Sequence, residues 1–198
     1  LEKSRVYFHK AALIFKKINH PNLPRPLLNL GSTYTAIDRD SLNKYTDMAI
    51  EAANAIGDYS MVAAAYIVKA QDFGSGDLDE AERCLITAMN FASKANNPSQ
   101  VGEIKTRMSQ VKGLKGDHRG AIKIAEEALA IGEALNDNPI QSNALISLVA
   151  QYKALGMHEK ALEYYERQIK LEAELNNQQN ERQLIRQEYA YDYQKQAL

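Results

Sequence analysis

The residues with chemical potential are few. "DFGSGD" at 72–77 carries the letters of a metal-binding Asp-Phe-Gly triplet and of a glycine-rich phosphate loop. Both motifs work only in context, after a strand and with a catalytic loop or a lysine supplied elsewhere, and this sequence has neither. The stretch therefore reads as a turn between helices. His118 and His158 fall at the same place in two successive copies of one pattern, which suggests a ladder of metal ligands. Packed helices would hold equivalent turns roughly 10 Å apart, too far for a shared ion that needs ligands at about 2 Å, so both read as solvated turn residues. His9 and His20 have no Asp, Glu or Cys at ligand spacing, and no Ser or Cys pairs with a His and a carboxylate. Cys84 is the single cysteine; it excludes an internal disulfide, and among Leu85 and Ala88 it reads as a small buried hydrophobe. The reading is a chain with no catalytic site, metal or cofactor.

What remains is organisation. "LKGDHRGAIKIAEEALAIGEALND" and "LGMHEKALEYYERQIKLEAELNN" are two copies of one pattern, a turn followed by a long amphipathic helix. Gly76, Gly116 and Gly156 recur at one exact interval, as do Ala81, Ala121 and Ala161, and the pairs Asn96-Asn97, Asn136-Asp137 and Asn176-Asn177. A fainter copy at 48–58 precedes them, and the opening "YFHKAALIFKKINH" resembles the second half of such a unit. Leu145, Leu148, Val149 and Tyr152 form one helical face; after the "LGMH" break, Ala161, Leu162, Tyr165, Ile169 and Ala173 form a second. Asn97-Pro98 and Asn138-Pro139 read as caps ahead of a first-turn proline, and Gly116 and Gly156 as helix ends. Each unit is thus a helical hairpin that cannot bury its apolar face alone. Stacking supplies a continuous core.

Composition agrees, with 45% hydrophobic and 25% charged residues and only five prolines. The formal net charge is −1 from 24 basic and 25 acidic residues that are interspersed, which argues against a nucleic-acid or anionic-lipid face. Glu126, Glu127, Glu133, Glu159, Glu163 and Glu166 read as a solvated surface. No run reaches the roughly 18 apolar residues of a membrane span. The chain opens at Leu1 without methionine and inside a helical pattern, which reads as a fragment.

The pattern resembles the tetratricopeptide repeat. Leu148, Val149, Tyr152, Gly156, Ala161, Tyr165 and Gln168 fall on its consensus positions in the last unit, and Met108, Ser109, Lys112, Gly116, Ala121, Ala125 and Ala128 do so in the unit before. Leu30, Gly31 and Tyr34 fit an earlier first helix, and Gly76, Ala81 and Ala88 the unit between. Lys112 stands where the family has an aromatic and Gln168 where it has a small residue; the period is 40 where the family has about 34. The resemblance implies an all-α, right-handed superhelical solenoid. Expected are the second helix of a truncated repeat at 1–20, four hairpins at 21–177, and a capping or linker helix at 178–198 whose stripe is Ile185, Tyr189, Tyr193 and Ala197.

Paired Asn turns, "KALEYYE" and the tyrosine-bearing tail "RQLIRQEYAYDYQKQAL" also look like the sensor region of bacterial membrane-linked signalling proteins. That resemblance implies a protein- or peptide-binding module, periplasmic if a membrane span follows and otherwise cytoplasmic, touching the membrane only through flanking segments. An intracellular peptide-binding regulator or scaffold is the alternative, and an enzyme with a concave site is a remote one. The family register puts Leu28, Ser32, Tyr66, Ala70, Thr106, Gln110, Asn143, Ile146, Ala150 and Lys153 in the groove, with Tyr66 as anchor. The lysine and asparagine of the family's carboxylate clamp are replaced by Leu28, Ser32, Tyr66 and Ala70, which argues against chaperone C-termini. The C-terminal helix is a candidate surface for pairing two copies.

Overall fold

The computed structural model describes residues 2–35, 37–71 and 77–196, with side chains up to 177 and at 180, 181, 183 and 186. The tail stripe at Ile185, Tyr189, Tyr193 and Ala197 and the turn at 72–76 lie outside the described side chains or residues. The described elements are α1 (Glu2–Lys17), α2 (Pro24–Ser32), α3 (Arg39–Ala55), α4 (Tyr59–Lys69), α5 (Leu78–Lys94), α6 (Pro98–Leu114), α7 (His118–Leu135), α8 (Asn138–Ala154) and α9 (His158–Gln196).

Their starts repeat with the chain. Asp58, Asp77, Asn97, Asp117 and Asp137 each place a side-chain oxygen on the backbone N–H three residues on, and Asp38 does so two residues on. These caps satisfy donors that the first turn of a helix leaves unpaired. At the opposite ends Gly57, Gly116 and Gly156 take φ of +70°, +86° and +70°, while Asn19, Asn96 and Asn136 take φ of 49°, 49° and 51°. Two expectations change. The cap of α8 is Asp137, with Asn138 and Pro139 already inside the first turn. Asn176-Asn177 does not turn, because α9 continues through it to Gln196. No glycine or proline follows there to accept or force a break.

Helices pack in chain order as hairpins α2/α3, α4/α5, α6/α7 and α8/α9, with α1 lying before the first. The first helices also touch one another, α2 with α4, α4 with α6 and α6 with α8. Helices whose successive copies meet lie on the tighter side of a curved stack, so the first helices line the inner face and α1, α3, α5, α7 and α9 the outer one. Ala81, Ala121 and Ala161 are buried, as the register requires.

The second helices approach their neighbours through paired small residues. Ala49 and Ala53, Ala88 and Ala92, and Ala128 are fully buried, and Gly132, one turn after Ala128, is buried as well. A Cβ added to Gly132 would sit 2.9 Å from the Gln141 backbone nitrogen, so α7 and α8 are in contact at the backbone. One repeat further on, the places of Ala128 and Gly132 fall to Gln168 and Glu172 in α9, where the Gln168 amide donates to the Glu172 carboxylate at 2.9 Å.

The second stripe expected in the last unit is also corrected. Only Ala161 of that set is buried; Leu162, Tyr165 and Ile169 are roughly half exposed, while Tyr164 and Leu171 pack against the core with Ala125, Leu129, Leu148 and Tyr152. The stripe that seals the hairpin runs beside the one read from the sequence. Between the last two units the Ser109 hydroxyl donates to the Ala121 carbonyl at 2.8 Å and lies 2.6 Å from the Ser147 hydroxyl, all buried. Lys112, at the aromatic position, pairs with the cap Asp117 at 3.2 Å. That carboxyl is held below the usual carboxylate range by the Gly120 N–H and then by Lys112.

Enlarging a small contact residue should be felt strongly. Ala128→Leu is expected to lower stability by about 1–3 kcal/mol, and Ala161→Glu by several kcal/mol through a charge forced into the core. Ala130→Leu, on the exposed face of the same helix as Ala128, should stay within about 0.5 kcal/mol. Urea unfolding midpoints of the three variants check the register.

Candidate functional site

α6 and α8 are adjacent first helices, each of 17 residues, and they are long enough to define a groove on the inner face. Between them lies a cavity of about 320 Å³ lined by Ser99, Glu103, Thr106, Arg107 and Gln110 from α6, and by Asp137, Pro139, Ile140 and Asn143 at the start of α8. Three of the groove residues read from the sequence, Thr106, Gln110 and Asn143, meet here. Ile146, Ala150 and Lys153 continue the exposed face of α8 above it, Ile146 being 45% exposed.

Polar groups in the cavity divide into paired and unpaired. The Arg107 guanidinium donates to Glu103 at 2.9 and 3.2 Å, and the Gln71 amide just after α4, with its oxygen turned towards the guanidinium, accepts from it at 3.0 and 3.3 Å. Ser99 donates to Asp137 at 2.8 Å. The Thr106 hydroxyl is spent on the Glu103 carbonyl at 2.7 Å, and the residue is buried, so it shapes the floor without offering a bond. Gln110 and Asn143 have no partner among the described residues. Two free amides on facing helices, each with donors and an acceptor, match the alternating N–H and C=O groups of an extended chain.

Of the remaining groove residues, Leu28 and Ala70 are placed differently from the reading. Leu28 is in the core with Ala49, Ala65 and Val68, because α2 is nine residues long and its apolar side chains turn to the neighbouring helices. Ala70 is buried too. Tyr66 is half-buried against the α4/α5 core, stacked on Phe91 with ring centroids 6.1 Å apart, so one face of the proposed anchor is already covered. Ser32 is exposed but donates to the Leu28 carbonyl at 3.0 Å. Arg107 and Glu103 were not singled out from the sequence; their i, i+4 spacing on the inner side of α6 was the available signal.

His118 is not the solvated residue expected. Its Nδ1 lies 2.8 Å from the buried Gln151 side-chain oxygen, joining the start of α7 to α8. Glu126 likewise accepts from the Tyr152 hydroxyl at 3.2 Å, and Glu127 and Glu133 pair with Lys105 and Arg167. Burial pushes the Tyr152 hydroxyl up to about 12, with Glu126 reinforcing it. Cys84 is buried, and burial followed by the Glu80 charge pushes its thiol up to about 11. Among the described residues no group of three His, Cys, Asp or Glu could hold a metal, and no helix is long and apolar enough to cross a membrane.

A thiol that is both buried and protonated reacts slowly. Cys84 should resist iodoacetamide at pH 8 in the native protein and alkylate readily in urea, as intact mass will show.

The sequence matches no known family model and no curated protein. Solved structures do match. BtubC from P. vanneervenii superposes with a TM-score of 0.73 at 21% identity over 88% of this chain and 74% of that one. A Rap protein complexed with Competence and Sporulation Factor gives 0.70 at 20% identity over 87% of this chain, which spans about half of that protein (51%). A chain of nearly identical TPR-like repeats from Podosopora anserina gives 0.65 at 15% identity over 89% and 88%. The fold of this chain is a tetratricopeptide-type helical solenoid.

Proposed function

We propose that the chain is a protein- or peptide-binding module whose site is the α6/α8 groove. The observation that carries this is the pair of unpartnered amides, Gln110 and Asn143, facing one cavity from successive inner helices. Arg107 and Glu103 beside them are held by each other, so a ligand meets a fixed, nearly neutral polar surface. The exposed Ile146, Ala150 and Lys153 extend it with apolar area and one positive charge at the far end. Such a groove suits an extended or helical segment with mixed polarity and an acidic group towards Lys153. A protein of this fold holding Competence and Sporulation Factor supports the reading. Of the broader roles, we favour the sensory or interaction part of a bacterial signalling protein, periplasmic if a spanning helix follows and cytoplasmic otherwise; an intracellular regulator or scaffold would use the same groove. No enzymatic role is assigned.

Peptides selected from a random display library on the purified protein provide the test. Their affinity should fall at least about tenfold in Asn143→Ala and in Gln110→Ala, the equivalent of roughly 1.4 kcal/mol for each lost bond. Selected peptides that bind both variants and Lys153→Glu as well as they bind the parent would overturn the assignment.

A second reading concerns α9, whose exposed Leu162, Tyr165 and Ile169 form a stripe at i, i+3 and i+7. We propose that it pairs two copies of the chain. Sedimentation should show a dimer that Ile169→Glu converts to monomer; a monomeric parent at high micromolar concentration would dismiss it.

A further inference from the structure

Outside the groove the first hairpin holds a second cavity, of about 360 Å³, bounded by α1 on one wall and α3 on the other, with α2 beneath. Its floor is Ala12, Leu27 and Leu30, all buried, and Met48 and Ala52 form the α3 wall. Because α1 and α3 belong to the outer layer, it opens on the face opposite the α6/α8 groove.

The repeat explains why this space exists. One and two repeats further along, the place of Ala52 is taken by Phe91 and Ile131. Phe91 stacks on Tyr66, packs against Tyr59 with the rings tilted by 38°, and fills the equivalent place in the second hairpin. In the third, Ile131 lies so close to α6 that a Cβ on Gly102 would meet its Cγ2 at 3.0 Å. Only a methyl group occupies the first. Interiors are ordinarily filled to crystal-like density, and here the filler is missing while the surrounding apolar side chains remain.

The rim supplies polarity. His9 and Lys16 stand two turns apart on one face of α1, and Glu51 stands opposite on α3. All three are exposed and have no partner among the described residues. Two nitrogen-bearing groups on one wall against one carboxylate on the other favour an anionic head on the α1 side. The volume corresponds to about a dozen groups at ~30 Å³ each, the size of a medium acyl chain.

We propose that this cavity binds a medium-chain carboxylate, its chain against Ala12, Leu27, Leu30, Met48 and Ala52 and its carboxylate at Lys16, with His9 as a second donor. The site is independent of the peptide groove, so each stands or falls alone.

Calorimetric titration with hexanoate, octanoate and decanoate below their micelle-forming concentrations tests it. One molecule should bind per chain, with affinity rising about fourfold per added methylene as apolar area leaves water. Ala52→Phe, which restores the filler of the second hairpin, should reduce decanoate affinity at least tenfold, and its unchanged circular dichroism will show that the fold persists. Lys16→Gln, at an exposed position, should weaken decanoate several-fold and leave 1-decanol unaffected. Absence of saturable binding would overturn the proposal, as would decanoate affinity unchanged in both variants or tighter binding of decyltrimethylammonium than of decanoate.

Discussion

The close approach of the second helices to the first helices that follow them rests on small buried residues, Ala49, Ala53, Ala88, Ala92, Ala128 and Gly132. At Gly132 the α7 backbone comes up against the Gln141 backbone nitrogen of α8, and at the alanines only a methyl group stands between one helix and its neighbours. The leucines at 42, 85, 129, 145 and 148 then fill what is left, and they can do so only because the spacing is already fixed. The buried Ser109–Ser147 pair, bonded to the Ala121 carbonyl, adds direction to that contact: slipping α6 against α8 by one residue would leave hydroxyls unpaired in the core.

The groove is a by-product of this spacing. First helices α6 and α8 touch one another on the inner side, where Thr106 and Ile140 are buried and Gln110 and Asn143 line the cavity between them. Their polarity is therefore available to a ligand, whereas Thr106, one turn before Gln110, is consumed by its own helix. The first hairpin departs from the rule: α2 is nine residues long and the inner surface closes on Leu28, while on the outer side the small Ala52 leaves space.

Much of the fold was legible because its determinants are local and repeated. Caps that return at the start of helix after helix, glycines with positive φ and buried alanines each leave a mark in a single sequence. What was not legible depends on where the array stops following its own pattern. Leu162, Tyr165 and Ile169 have the composition of a core stripe, yet they face outward, because periodicity alone cannot say which of two apolar faces meets the preceding hairpin. Asn176-Asn177 copies the letters of a turn without the break that completes one. The burial of Leu28 and the covering of one face of Tyr66 were not legible because they depend on the length of α2 and on Phe91, which are properties of neighbours. Arg107 and Glu103 escaped notice because an i, i+4 pair is the commonest surface pattern of a helix.

The hydrogen-bonded pair Gln168–Glu172 bears on how such an array can grow. Repeat proteins lengthen by tandem copying of gene segments, and a copied hairpin must accept a neighbour on its second helix. Copies of the α4/α5 or α6/α7 hairpin would bring Ala88 and Ala92, or Ala128 and Gly132, to the new junction and could dock at once. A copy of the α8/α9 hairpin would bring two long polar side chains to a place where backbones must touch. Expansion by duplication is thus open to the interior hairpins and closed at the segment encoding α9, unless the codons for Gln168 and Glu172 change first.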